Sequence, residues 1–240
     1  MNLSQLQGLW YRDWLHAENH EDNTSCVYWA QAGDLFVDVR VPNDLPDLDG
    51  HDCLATLSAQ TLTRLLSAEG FAGTVSLSDD ICTWNREINW HGQTEEIDAG
   101  KLSFSANDSV LLETGIHASY AEQWSRVPGE AFTAHRVSVD DMSGILINSA
   151  SRFFFAIGIP GQSGLTDIQR CLENGVVSDE CRQLFLSEYS TGHWHENAGV
   201  ADSSTQPFQT GKTILHSNGD SITWQQQSFD GEIIARTIRS

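Results

Sequence analysis

The second half of this 240-residue chain repeats the order of the first, and that order limits the folds open to it. Residues 33–42 (GDLFVDVRVP) match residues 150–160 (ASRFFFAIGIP), each reading as a strand that ends in Val-Pro or Ile-Pro. A stretch with helical spacing follows in both halves, longer in the second. Residues 82–87 (CTWNRE) then align with residues 192–197 (GHWHEN). Gly100-Lys101 followed by Asn107-Asp108 matches Gly211-Lys212 followed by Asn218-Gly219, with the same Gly-to-Asn spacing. Each half ends on an arginine-bearing run. Chance supplies single matches of this kind, whereas an ordered series implies a duplicated unit. The boundary falls near Pro128-Gly129, giving a first unit of residues 1–128 and a second of 129–240.

Within the units, side-chain character alternates at period two. Leu35 to Val41, Trp84 to Trp90 and Tyr120 to Arg126 all read this way. Short alternating runs divided by Gly, Asn, Asp and Pro predict antiparallel strands, and a unit of this length closes a barrel of about eight of them. The expected fold is all-β, two tandem antiparallel β-barrels with a few short helices inserted. One helix is expected over residues 58–69, with Ser58 as N-cap and Leu62, Leu65 and Leu66 on one stripe. Thr166 to Gln169 reads as a capping box opening a second helix that stops at Asn174-Gly175, and Ser178 starts a third.

Charge narrows the partners. Thirteen basic against thirty-three acidic side chains leave a net charge of −20, which disfavours nucleic acid and anionic membrane surfaces. Eight Trp and 40% hydrophobic content exclude a disordered chain. No basic segment followed by an apolar core marks a signal peptide, and no apolar run reaches the ~18 residues needed to cross a bilayer. Five cysteines without a CxxC pair fit free thiols in a reducing compartment, so a cytoplasmic location is expected.

Gly8-x-Trp10 opens the first unit ahead of its first strand, and Arg126 lies in that unit's last strand. This pairing resembles the calycin superfamily, the lipocalins and their relatives. There, a Gly-x-Trp indole packs on an arginine from the final strand and closes one end of the barrel. Two such barrels in tandem are similar to a fungal and bacterial group of double calycin-like proteins whose activity is not settled. The motif covers the first unit alone. In the second, Phe132 stands near the place of Trp10.

Strand parity collects the polar and aromatic residues of the first unit. Trp10, Arg12 and Trp14 share one face, as do Trp84, Arg86, Ile88 and Trp90, and as do Tyr120, Glu122, Trp124 and Arg126. Phe36, Asp38 and Arg40 form the polar-bearing face of their strand. At the positions of Asp38 and Arg40 the second unit carries Ala156 and Gly158, and six of the eight Trp precede Pro128. A binding pocket is therefore expected in the first barrel, lined by Trp10, Arg12, Asp38, Arg40, Trp84, Arg86, Glu122, Trp124 and Arg126. Guanidinium forks among indoles suit a small apolar or aromatic ligand with an acidic group. The same residues also suit a purely structural plug of Arg–Trp stacks and Arg–carboxylate pairs.

The expected function is non-catalytic binding of that ligand, with no cofactor or metal; the second barrel supports the first or forms a homodimer. One alternative is an isomerase- or cyclase-type barrel using Glu122 or Glu87 as a base. A desolvated lumenal glutamate without an arginine partner would favour it. Another is an interaction module with both lumens filled. His193 and His195 share a strand face, but a zinc or copper site would need a third ligand such as His216 or His135. No phosphate loop, GxSxG elbow or HExxH is present.

Overall fold

The computed structural model describes residues 1–93, 96–105, 107–129, 131–162, 164–219 and 221–240. It is all-β, two antiparallel barrel-shaped sheets with three short α-helices. The first sheet contains β1 (Gly8–Ala17), β2 (His20–Asp22), β3 (Cys26–Ala32), β4 (Leu35–Val41), β5 (Glu69–Ser78), β6 (Ile81–Asn89), β7 (Ala99–Phe104), β8 (Val110–Gly115) and β9 (Tyr120–Val127). Apart from the short β2, which extends β1, neighbours in sequence are neighbours in space, and β9 returns to β1. That seam runs from Leu9↔Val127 to Ala17↔Tyr120, so the first barrel is closed along a full strand.

The second sheet follows the same meander through β10 (Thr133–Val139), β11 (Met142–Asn148), β12 (Arg152–Gly158), β13 (Glu188–His195), β14 (Ala198–Ser204), β15 (Thr213–Ser217), β16 (Ile222–Gln227) and β17 (Ile233–Ile238). Its ends meet at the isolated bridge Ser138↔Arg239, joined by hydrogen bonds of 2.8 and 3.0 Å.

Leaving out the short β2, helices sit at the same point of each unit, after the third strand of each sheet. α1 (Ala59–Leu65) is capped by Ser58 Oγ, which accepts from the Thr61 amide at 3.1 Å. It stops four residues short of the expected end because Glu69 already belongs to β5. α2 (Thr166–Glu173) begins after Leu165 with no side-chain cap, so Thr166 is a first-turn residue rather than half of a capping box. α3 (Asp179–Leu184) is capped by Ser178, as its sequence predicts.

Bulges correct the alignment of the two halves. On β6 Glu87 is an extra residue between the pairs Ala72↔Ile88 and Gly73↔Arg86; on β14 Asp202 is extra between Thr191↔Ser203 and Gly192↔Ala201. Only glycine fits opposite either bulge: a Cβ on Gly73 would lie 1.9 Å from the Asn85 carbonyl, and one on Gly192 would lie 2.0 Å from that of Val200. With Gly73 set on Gly192, the pair Arg40↔Glu69 falls on Ile157↔Glu188 and Asp38↔Phe71 on Phe155↔Ser190. The counterparts of Asp38 and Arg40 are therefore Phe155 and Ile157, not Ala156 and Gly158. Likewise residues 82–87 lie on β6 and 192–197 run out of β13, so they are not equivalent. Trp10 corresponds through Trp29 and Leu146 to the exposed His135, whereas Phe132 packs outside the second barrel against Phe154.

Three apolar cores result. One lies within the first barrel (Trp10, Trp29, Phe36, Phe71, Trp84, Trp124) and one within the second (Phe153, Phe155, Ile157, Leu215, Trp224). The third lies between the sheets, joining Val37, Val39 and Ala72 to Ile145, Phe154, Ala156 and Tyr189 under the three helices. The apolar face of β4 thus points at the other barrel and its polar face into its own lumen. Glycine permits this contact: a Cβ on Gly70 would stand 2.3 Å from the Tyr189 ring.

Candidate functional site

Alternation on β4, β6, β8 and β9 points charged side chains into the first barrel, where they would be costly unless paired. Asp38, Arg40, Trp84, Arg86, Glu122 and Trp124 line one cavity of about 300 Å³, together with Trp29, Phe71, Asp98, Glu113 and Tyr120. Six of the nine residues expected from sequence therefore meet.

Arg12 stands behind this cavity, 6% exposed. It donates to Glu122 Oε1 at 2.8 Å and to Asp22, whose carboxylate also accepts from the Thr24 and Ser25 amides. Burial alone would raise the Asp22 pKa; those amides and Arg12 override it and hold the group at about 2.

Trp10 and Arg126 occupy the opposite end. They are cross-strand partners in register, with the guanidinium 4.1 Å from the indole centroid. Arg126 also donates to the carbonyls of Gln7, Gln5 and Asp108, and the Trp10 indole N–H to that of Leu6 at 2.9 Å. These two residues close the barrel floor and do not line the cavity.

The bulges also break the parity assumed from sequence. The extra residue Asp13 on β1 turns Trp14 out of the lumen, where it stacks on His16, and turns Leu15 in. Glu87 does the same on β6: Trp84 and Arg86 face the lumen, whereas Ile88 and Trp90 join the core between the sheets.

Each lumenal guanidinium already has a carboxylate. Arg40 grips Asp38 through two bonds, at 2.8 and 3.2 Å, and lies 3.7 Å from Glu122. Arg86 donates twice to Asp98, at 2.9 and 2.6 Å, with its carbon 3.6 Å above the Phe71 ring. Burial works against the Arg40 charge, yet Asp38 and Glu122 more than offset it and raise its pKa. Burial raises the pKa of Asp38 and Glu122 against the pull of these arginines. The carboxylate-receiving role expected of Arg12, Arg40 and Arg86 is thus filled from within the chain.

Glu113 differs from the other carboxyls. Its Oε1 accepts from the Tyr120 hydroxyl at 2.7 Å and its Oε2 from the Trp124 indole at 3.0 Å, with no ion pair to a guanidinium among the described residues. Burial, then the neighbouring Glu122, push its pKa up to about 8, so it is mainly protonated at neutral pH. The sequence reading did not single it out. The signal was there in Leu111-x-Glu113-x-Gly115, an alternating strand whose Glu113 pairs directly with Glu122. Trp29, whose indole N–H has no hydrogen-bond partner among the described residues, was likewise missed.

Other candidates separate. Glu122 is held by Arg12, and Glu87 lies outside in a two-pronged pair with Arg136 of the second sheet. His193 is paired with Asp202, and among the described residues no three His, Cys, Asp or Glu groups converge as metal ligands. No helix is long and apolar enough to cross a membrane.

No protein-family model and no curated protein matches the chain. Among solved structures, it is similar to the crystal structure of the uncharacterized protein YLR301w from Saccharomyces cerevisiae. The two are 11% identical, with a TM-score of 0.42 over 95% of this chain and 83% of that one.

Proposed function

We propose that the chain is a calycin-like tandem barrel whose first lumen holds a small molecule without transforming it. One observation carries this reading: the first lumen keeps an open cavity of about 300 Å³ lined by ion pairs, while the second barrel puts Phe155, Ile157 and Ala201 where the first has Asp38, Arg40 and Arg86. Apolar replacements of buried ion pairs are commonly neutral or stabilising, and the second barrel demonstrates that this architecture accepts them. Charges retained around a cavity under those conditions are best accounted for by a ligand. The Trp10–Arg126 closure supports the calycin kinship.

The test is calorimetric titration with small monocyclic aromatics of positive, zero and negative charge. Saturable one-to-one binding that weakens in Trp84→Ala is expected. Absence of binding by every probe, or binding indifferent to Trp84→Ala, overturns the reading.

A catalytic reading has one observation behind it. Glu113 is a desolvated lumenal carboxyl with no guanidinium hydrogen-bonded to it among the described residues, as a barrel isomerase or cyclase would need for an acid or base. The two readings part on the fate of the ligand: recovery of the bound compound unchanged after prolonged incubation supports storage or transport, and recovery as an isomer supports catalysis.

A further inference from the structure

The chemical class of the ligand follows from the carboxyl left without a cation in the first lumen. Four carboxyls, those of Asp38, Asp98, Glu113 and Glu122, line the cavity against two guanidiniums, Arg40 and Arg86. Arg12 adds a third cation behind the wall, but Asp22 shares it. Pairing then consumes Arg40 with Asp38, Arg86 with Asp98 and Arg12 with Glu122, and Glu113 remains with neutral donors alone.

The aromatic lining has the matching character. Trp84 and Trp124 each meet Trp29 edge-on, at centroid separations of 5.6 and 5.8 Å. Among the described residues no guanidinium covers any of these three rings, whereas the Phe71 ring already carries Arg86. Indole faces attract cations, and a net charge of −20 draws them towards the molecule. An anionic guest would find no unpaired guanidinium and a surplus of carboxyls.

We propose that the ligand of the first barrel is an organic ammonium ion with a small apolar or aromatic body, its nitrogen received by Glu113 and its body by Trp29, Trp84 and Trp124. This rests on the reading of that lumen as a ligand compartment. The cavity volume lies at the lower end of small-molecule sites, about 300–1,000 Å³, which suits a monocyclic amine.

Binding is linked to a proton. The groups facing Glu113 are Tyr120 and Glu122 from β9, Asp98 ahead of β7, Cys82 from β6 and Arg40 from β4. Burial and the adjacent carboxylates keep Glu113 protonated; an ammonium at its oxygens reverses that balance. The carboxyl then ionises, its O–H proton leaves to solvent, and Tyr120 and Trp124 keep donating to the carboxylate.

The experiment titrates the full chain with three isosteric probes: phenethylamine, phenethyl alcohol and phenylacetate. The amine is expected to bind about tenfold or more tightly than the alcohol, and phenylacetate weakest. Affinity for the amine rises about tenfold per pH unit below neutrality and levels off above about pH 8, with close to one proton released to buffer near pH 7. Glu113→Gln, which mimics the protonated carboxyl, removes the amine preference and the pH dependence yet still binds the alcohol.

Phenylacetate binding as tightly as the amine overturns the inference while leaving the compartment intact. So does a pH-independent affinity for the amine. Failure of all three probes at millimolar concentration overturns the compartment reading and this inference with it.

Discussion

The two barrels share a meander, a helical insertion and a bulge facing a conserved glycine position, Gly73 or Gly192, yet treat their interiors in opposite ways. The first seals its wall along the whole β1–β9 seam and keeps its interior charged and open. The second joins its ends by one bridge, Ser138↔Arg239, and packs its interior with Phe153, Phe155, Ile157 and Trp224. Stability and function are thereby divided. A filled lumen tolerates a weak seam because side chains hold the wall from within. An open one needs the full hydrogen-bonded seam and a Trp10–Arg126 floor.

The sharpest way to break this comparison is to truncate one large side chain in each lumen. Phe155→Ala should cost about 3–5 kcal/mol, since a close-packed apolar core relaxes little around the void. Trp84→Ala should cost less than half as much, because its ring borders a cavity that water can enter. Chemical denaturation of both variants measures this; equal losses would refute the difference in packing.

Next in size is the ion pair behind the open lumen. Arg12→Met leaves Glu122 buried without its closest cation and should cost about 3–5 kcal/mol. Adding Glu122→Gln should restore most of that loss, and a double-mutant cycle reads it directly.

The second barrel has a buried carboxyl of its own, and its effect runs through pH. Glu188 accepts from Ser190 and Trp224, pairs with no guanidinium among the described residues, and is pushed by burial up to about 7. Its folded pKa lies above its unfolded one, so the stability it contributes is complete below about pH 4.5. Between there and about pH 7 the unfolded chain has released a proton that the folded chain retains, and stability falls as pH rises. Glu113 adds to the same slope up to about pH 8. Glu188→Gln should therefore be more stable than the parent at pH 8, by on the order of 2 kcal/mol, with a flatter pH profile. Parallel profiles would contradict this.

The smallest contrast concerns the stacked arginines. Arg126 lies 4.1 Å over Trp10 and donates to three carbonyls, whereas Arg236 lies 5.2 Å over Trp224, pairs with the exposed Asp140 at 3.3 Å and touches Gln226 at 3.5 Å. Arg126→Ala should cost about 1–2 kcal/mol and Arg236→Ala less than half of that. A larger loss at Arg236 would move the weight of closure to the second barrel.

Alternation and duplicated order made the strands, the two barrels and the polar set of the first lumen legible. They could not set the phase of β12. Its Phe153-Phe154-Phe155 run is apolar on both faces because one side fills a lumen and the other the core between the sheets, so no alternation records which residue faces where. A slip of one residue reverses every face, which is why Ala156 and Gly158 read as the partners of Asp38 and Arg40. Bulges at Asp13 and Glu87 break parity without a composition signal, and so Trp14 reads as sharing a face with Arg12, and Trp90 as sharing one with Arg86. Pairing was hidden as well. Arg86 finds Asp98 on the run into the neighbouring strand, and Arg12 finds Glu122 across the seam, contacts that strand periodicity does not encode. The alternation around Glu113 was legible, but that no guanidinium pairs with it emerged only once these partners were known.

Ordered water inside the two lumens tests the central contrast most directly. A crystal structure at a resolution that shows such water should reveal a chain of water molecules in the first barrel, touching Asp38, Arg86, Asp98 and Glu113, or a guest in their place, and none between Phe155 and Trp224 in the second. A first lumen collapsed and dry, with Trp84 or Tyr120 folded into the space, would contradict it.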